Sequence, residues 1–197
     1  MSRGRRCRLQ AAGGCPASAV PNSFAGRRAI THSGIKEAAL PVVAHTFLLR
    51  SGSVLLVRRC DTGFEDGNYG PVGGHLDGGE SVKHAAIREC REEIGVEIGP
   101  GGLEIVGVAH YRSPEGEGVD FFLSATRWAG EPYPRSECDD LRWCPLDTLP
   151  GNTIPFVRRA IERHLQAGVW FDEVYLGVDW PPSRPPGKGD SNADCDR

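Results

Sequence analysis

The chain has 197 residues with 23 Lys/Arg and 26 Asp/Glu, a net charge of −3, and is 39% hydrophobic and 25% charged. That length suits one domain plus tails, and the balance is that of a globular protein rather than a low-complexity one. No apolar run approaches the ~20 residues of a membrane span, so no membrane partner is expected. The N-terminus carries arginines but lacks the apolar segment of a secretory signal. Seven cysteines (7, 15, 60, 90, 138, 144 and 195) are odd in number and form no C-x-x-C pair. They suggest neither a zinc knuckle nor a disulfide framework, and a reduced, cytoplasmic setting is expected.

The charge is unevenly spread. Residues 1–40 hold seven basic and one acidic side chain, a balance of +6, and the remainder holds a balance of −9. Residues 1–38 are rich in Arg, Gly, Ala, Ser and Pro without an apolar period, which predicts a disordered basic tail. Gly and Pro interrupt its arginines and no aromatic pattern accompanies them, so no stable nucleic-acid partner is expected. Nucleic-acid binding through this tail is a minor alternative, which strong salt dependence would reveal. Residues 181–197 are expected to form a second disordered tail, leaving 39–180 as the folded domain.

In chain order, Val42–Leu49 and Val54–Val57 are β-rich runs around Arg50-Ser51-Gly52, a predicted hairpin. Residues 60–79 form a Gly/Asp-rich loop. Ser81–Ile94 is predicted helical, with Ser81 as N-cap. Leu103–Tyr111, Val119–Trp128 and Leu141–Leu146 are predicted strands. Ile154–Leu165 is a second predicted helix, with Pro155 in its first turn and Gly168 past its end. Several strands with two helices point to an α/β fold, a mixed β-sheet between helices.

The first helix concentrates charge. At about 100° per residue, Ala86, Ile87, Cys90 and Ile94 form a core-facing stripe. His84, Arg88 and Arg91 occupy the next arc. Glu89, Glu92 and Glu93 fill the rest, three carboxylates at i, i+3 and i+4. Such like-charge spacing opposes a helix by a few tenths of a kcal/mol per pair. The residues support two readings, a solvated acidic face and a hard-cation site, since Mg²⁺ takes oxygen ligands. His75 and His110 have no metal-ligand spacing and are expected to be ordinary loop and strand residues. Trp128 and Trp143 are expected in the core.

The segment from Gly74 to Val96 decides between them. Gly74, five residues, Glu80, seven residues, Arg88-Glu89-Cys90-Arg91-Glu92-Glu93-Ile94-Gly95-Val96 resembles the Nudix box at every fixed position. Cys90 departs mildly, standing where a larger aliphatic is usual, and Pro71-Val72-Gly73-Gly74 has one residue between the proline and the paired glycines. Arg127–Pro132, Leu141-Arg142-Trp143 and Leu149–Asn152 resemble segments of MutT-like members, so the similarity covers about residues 40–168.

The resemblance implies a Nudix α/β/α sandwich and a Mg²⁺- or Mn²⁺-dependent pyrophosphohydrolase. Its substrate would be a small-molecule nucleoside diphosphate derivative, foremost a nucleoside triphosphate, acted on by a monomer or homodimer. It implies Glu89, Glu92 and Glu93 as metal ligands, joined by the Gly74 carbonyl and, from outside the box, Glu137. Glu80 would orient the water or bind a further metal, and Arg88 would hold a neighbouring carboxylate. The family places the general base on the box helix or on a later loop; Glu89 is the assignment made. Asn152 falls where some members read a base edge. The alternative is a nucleotide-metabolite binding or sensing module, whose usual sign, loss of box carboxylates, is absent.

Overall fold

A computed structural model describes residues 40–114 and 116–177. Both expected tails lie outside the described residues. Eight strands are found there: β1 (Val42–Arg50), β2 (Ser53–Arg59), β3 (Tyr69–Gly70), β4 (Val72–His75), β5 (Glu104–Ser113), β6 (Gly116–Ala125), β7 (Cys138–Pro145) and β8 (Phe171–Tyr175). They belong to one sheet with the path β3-β2-β1-β6-β5-β8, from which β4 branches by pairing with β1 and β7 by pairing with β2. The β1–β6 and β5–β8 pairs are parallel and the rest antiparallel. The mixed sheet expected from sequence is therefore present.

The β1–β2 hairpin closes on Ser51-Gly52, both at positive φ (51° and 77°), with Arg50 opposite Ser53. A two-residue loop of this hand matches the strand twist. Beyond the hairpin the two strands part. β1 turns its first half to β4, pairing Ala44 with Gly74 and His45 with Gly73, while β2 pairs along its length with β7.

Side chains alternate between two cores, as the pleat requires. Ala44, Leu48, Leu55, Val57 and Leu123 face helix α1 (Val82–Ile94). Phe47, Val54, Leu56 and Phe122 face helix α2 (Pro155–Ala160). Burial on both faces explains why Val54–Val57 is an unbroken apolar run. Cys90 is fully buried in the α1 core, where a thiol packs as a small hydrophobe.

Four elements differ from the sequence reading. β3 and β4 lie inside the expected Gly-rich loop, and β8 has no counterpart in the prediction. The second helix, expected over Ile154–Leu165, begins at Pro155 with Ile154 as its N-cap and continues with π-helical winding over Ile161–Gln166. That winding carries His164, whose ring stacks on Phe122 at 4.8 Å and bonds the Val169 carbonyl at 2.5 Å. Its imidazole occupies the place a side chain at Gly107 would take, beside a register shift in the β5–β6 pairing.

Gly73 allows β4 to lie against β1. A Cβ there would collide with the Ala44 carbonyl oxygen and come within 2.9 Å of the His45 Cα, whereas one at Gly78 meets nothing within 4 Å. Gly73→Ala is therefore expected to destabilise the fold by about 3 kcal/mol, and Gly78→Ala by under about 1 kcal/mol. Chemical denaturation of the two variants checks this; equal midpoints would refute the steric account.

Candidate active site

Helix α1 is held at both ends. The His84 backbone N–H donates to Ser81 Oγ at 3.3 Å, and Gly95 at φ 71° ends the helix with its N–H on the Arg91 carbonyl. The remaining carbonyls of the last turn are met from a loop some forty residues on. Arg135 donates its backbone N–H to Glu93 O (2.9 Å) and a guanidinium N–H to Arg91 O (2.9 Å). Ser136 Oγ donates to Glu92 O at 2.9 Å, Tyr133 N–H to Ile94 O at 3.1 Å and Cys138 Sγ to Glu93 O at 3.3 Å. The acceptors a helix end leaves open are thus satisfied.

Arg88 is the hub of the box. It donates to both Glu80 carboxylate oxygens (3.1 and 3.0 Å), to Glu89 Oε1 (2.6 Å), to Glu92 Oε2 (3.3 Å) and to the His75 carbonyl (3.0 Å). A planar guanidinium with five donors suits this many acceptors. The hydrogen bond from Arg88 holds the Glu80 carboxyl below its ordinary pKa. Glu80 also accepts from the Asp77 N–H at 3.1 Å, which fixes the glycine loop ahead of the helix.

The helical carboxylates do not share one exposed patch, as the wheel suggested. Glu92 is half-exposed, Glu89 is 14% exposed, and Glu93 is buried beneath the helix. Burial pushes the Glu93 carboxyl up to about 8, although the Gly73 N–H bonds its Oε1 at 3.2 Å. Burial likewise raises Glu89, against the pull of the Arg88 bond. Gly74 sits against Glu89 so closely that a Cβ there would collide with the carboxylate.

Glu137 lies on the loop that caps α1, at a positive φ of 59°. It is exposed, and its charge contributes to raising both Glu89 and Glu93. The structure thus brings Glu80, Arg88, Glu89, Glu92, Glu93, Gly74 and Glu137 into one neighbourhood. Asn152 makes its contacts elsewhere. Its side-chain amide donates to the Gly67 carbonyl at 2.8 Å and its own carbonyl accepts from Tyr69 N–H at 2.9 Å, so it pins the loop before β3. Trp128 and Trp143 are part-buried, stacked at 5.9 Å, with the Arg50 guanidinium 4.2 Å from the Trp143 ring. His75 is exposed on β4, and His110 bonds Glu117 at 2.8 Å.

The donors fit a hard divalent cation. They are all oxygens, and the charge of Glu137 helps to raise both Glu89 and Glu93, with that of Glu89 also raising Glu93. Among the described residues no group of three or more His, Cys, Asp or Glu is already gathered at metal-binding geometry; Arg88 holds Glu80, Glu89 and Glu92 instead.

A mixed sheet with this box helix laid across it defines a class. The NUDIX domain model matches residues 39–164, and the chain belongs to the Nudix hydrolase family. The NAD-capped RNA hydrolase NudC of Pseudomonas aeruginosa (strain LESB58) is 37% identical, over 59% of this chain and 39% of that protein. The RNA pyrophosphohydrolase of Acidiphilium cryptum (strain JF-5) is 30% identical, over 58% of this chain and 80% of that protein. The chain spans about two fifths of the length of the NudC relatives it matches. Among solved structures, a MutT NUDIX hydrolase from Burkholderia pseudomallei aligns with TM-score 0.58 and 27% identity, covering 64% of this chain and 98% of that one. No helix among the described residues is long and apolar enough to cross a membrane.

Proposed function

We propose that this protein is a divalent-cation-dependent pyrophosphohydrolase that cleaves a phosphoanhydride bond in a nucleoside diphosphate derivative. The observation that carries the reading is the single guanidinium of Arg88 binding Glu80, Glu89 and Glu92, with Glu93 buried behind them. Burial disfavours the ionised forms of Glu89 and Glu93, a cost to the fold that a bound cation would offset. Mg²⁺ or Mn²⁺ would be held by Glu89, Glu92, Glu93, the Gly74 carbonyl and Glu137, and when bound would neutralise charge on the bridging and leaving oxygens.

The chain's own groups supply the rest. Arg88 fixes the carboxylates in register, so little reorganisation is left for the reaction itself. Glu80, bonded on both oxygens, orients the attacking water. Glu89 is the proposed general base, because burial holds its carboxyl above the ordinary range and so makes it a better proton acceptor. Asn152 is proposed to contact the base; its amide oxygen remains available, since the contact with Gly67 uses the amide nitrogen.

A nucleoside triphosphate is the substrate proposed from the MutT-like segments, and the names of two relatives add NAD-capped RNA and RNA to the panel. The test is phosphate and pyrophosphate release across such a panel with Mg²⁺ and with Mn²⁺. Turnover is expected to vanish with EDTA and return with added metal. Activity that persists under chelation would overturn the metal role, and tight nucleotide binding without release would favour a sensing module.

A further inference from the structure

Beside the carboxylates lies a groove of about 380 Å³ lined by Arg91, Glu92, Arg135 and Ser136. That is within the size range of small-molecule sites. Two of its four residues are arginines. The Arg91 guanidinium has no hydrogen bond or ion pair among the described residues. Arg135 spends one N–H on the Arg91 carbonyl and lines the groove with its other donors uncommitted among the described residues. Among the described residues no acid forms an ion pair with either one; Glu92, the acid in the groove, pairs with Arg88.

We propose that this groove binds a phosphate of the substrate that lies outside the anhydride being cleaved. The proposal rests on the nucleotide-hydrolase reading above. Guanidinium groups match phosphate oxygens in charge and in planar, paired donor geometry. A free anion is disfavoured there, because Glu92 and the negative end of α1 face the same space. A phosphate tethered to one already anchored at the carboxylates overcomes that repulsion, since its attachment makes the second contact intramolecular. The groove is therefore an extension of the site and not an independent anion pocket.

Tyr133 marks where a longer ligand would continue. It is 53% exposed and its ring rests on Gly95, where any side chain would displace it. The Arg135 guanidinium lies 5.8 Å from the ring centroid. An exposed aromatic next to arginines is the pairing that binds single-stranded nucleotides, ring to base and cation to backbone.

An extra phosphate reaches the groove in two ways, through a longer polyphosphate or through the 3′-phosphodiester of an oligonucleotide. The test compares kcat/KM of the full chain, in Mg²⁺, on a nucleoside triphosphate, a nucleoside tetraphosphate and a 5′-triphosphorylated tetranucleotide RNA. Arg91→Gln and Arg91→Gln/Arg135→Gln are the variants. The preference for a longer substrate over the triphosphate is expected to fall about tenfold in the double variant. The salt dependence of KM for that substrate is expected to weaken by about one unit in log–log slope per lost phosphate contact. Loss confined to the RNA assigns the phosphodiester, and loss confined to the tetraphosphate assigns the polyphosphate. Unchanged preferences would overturn the groove, as would a uniform loss on all three substrates with a lowered Tm.

If the wild type turns over none of the three, the nucleotide-hydrolase reading fails. Anisotropy of the same labelled RNA with Mg²⁺ then decides the groove: weaker binding by Arg91→Gln upholds it. Equal binding, or none by the wild type, overturns it.

Discussion

Replacing Glu93 by glutamine is expected to lower kcat on the best nucleotide substrate by about 10³-fold or more, the scale on which loss of one transition-state-stabilising group is felt. The exchange keeps the shape and one hydrogen-bond acceptor for the Gly73 N–H, so packing beneath α1 is preserved. What disappears is a negative charge buried among Glu89 and Glu137. On the proposed function that charge holds the cation, and an amide oxygen is a much weaker partner. Steady-state kinetics over a range of Mg²⁺ concentrations separate the causes. A lost ligand raises the Mg²⁺ requirement together with the fall in kcat. A variant with wild-type turnover would remove Glu93 from the mechanism.

The same substitution has an opposite expected effect on the chelated protein. A free glutamate titrates near 4.5, whereas burial holds Glu93 near 8 in the fold. The folded state therefore binds this proton more tightly than the unfolded state. Its stabilising contribution is complete below about pH 4.5 and is lost as pH rises through about 8. By pH 8.5 the ionised side chain costs on the order of 4 kcal/mol, roughly 10 °C in Tm for a chain of this size. Glu93→Gln carries no such proton. In EDTA its Tm is expected to match the wild type at pH 4.5 and to exceed it by about 10 °C at pH 8.5. Parallel curves across that range would show that Glu93 is not strained. An active-site group that lowers stability while enabling function is a familiar trade.

The box was legible because it is contiguous. Its residues from Gly74 to Val96 lie on one loop and one helix, so spacing alone implies geometry. Even so, the helical wheel put Glu93 with Glu89 and Glu92 on an acidic face. What buries it is the packing of β4 and the 133–138 loop against the helix, which no periodicity encodes. Arg88 was read as partner to one neighbour; its reach to Glu80, Glu89 and Glu92 depends on the path of the glycine loop. Glu137 was found by resemblance, and its approach to the helix follows from the capping bonds of Tyr133, Arg135 and Ser136.

Elsewhere, long patterned elements were legible and context-made ones were not. The runs in β1, β2, β5 and β6 carry β-branched and aromatic residues in quantity. β4 is Val-Gly-Gly-His, poor strand material by propensity, and it is extended because β1 offers backbone partners. β8 is five residues, Phe-Asp-Glu-Val-Tyr, held by parallel pairing to β5. The π-helical winding that seats His164 beside Gly107 answers a gap in a distant strand, so nothing local announces it.

The donors that close the end of α1 come from residues 133–138, and one of that loop's members is Glu137. Helix fraying and loop displacement are consequently the same event: neither can open without breaking the other's bonds. The box acids and Glu137, more than forty positions apart in the chain, are thus tied by one set of bonds and are expected to open together. A substitution in this loop that never touches a nucleotide would still disturb the spacing of the carboxylates, through the end of the helix that bears them.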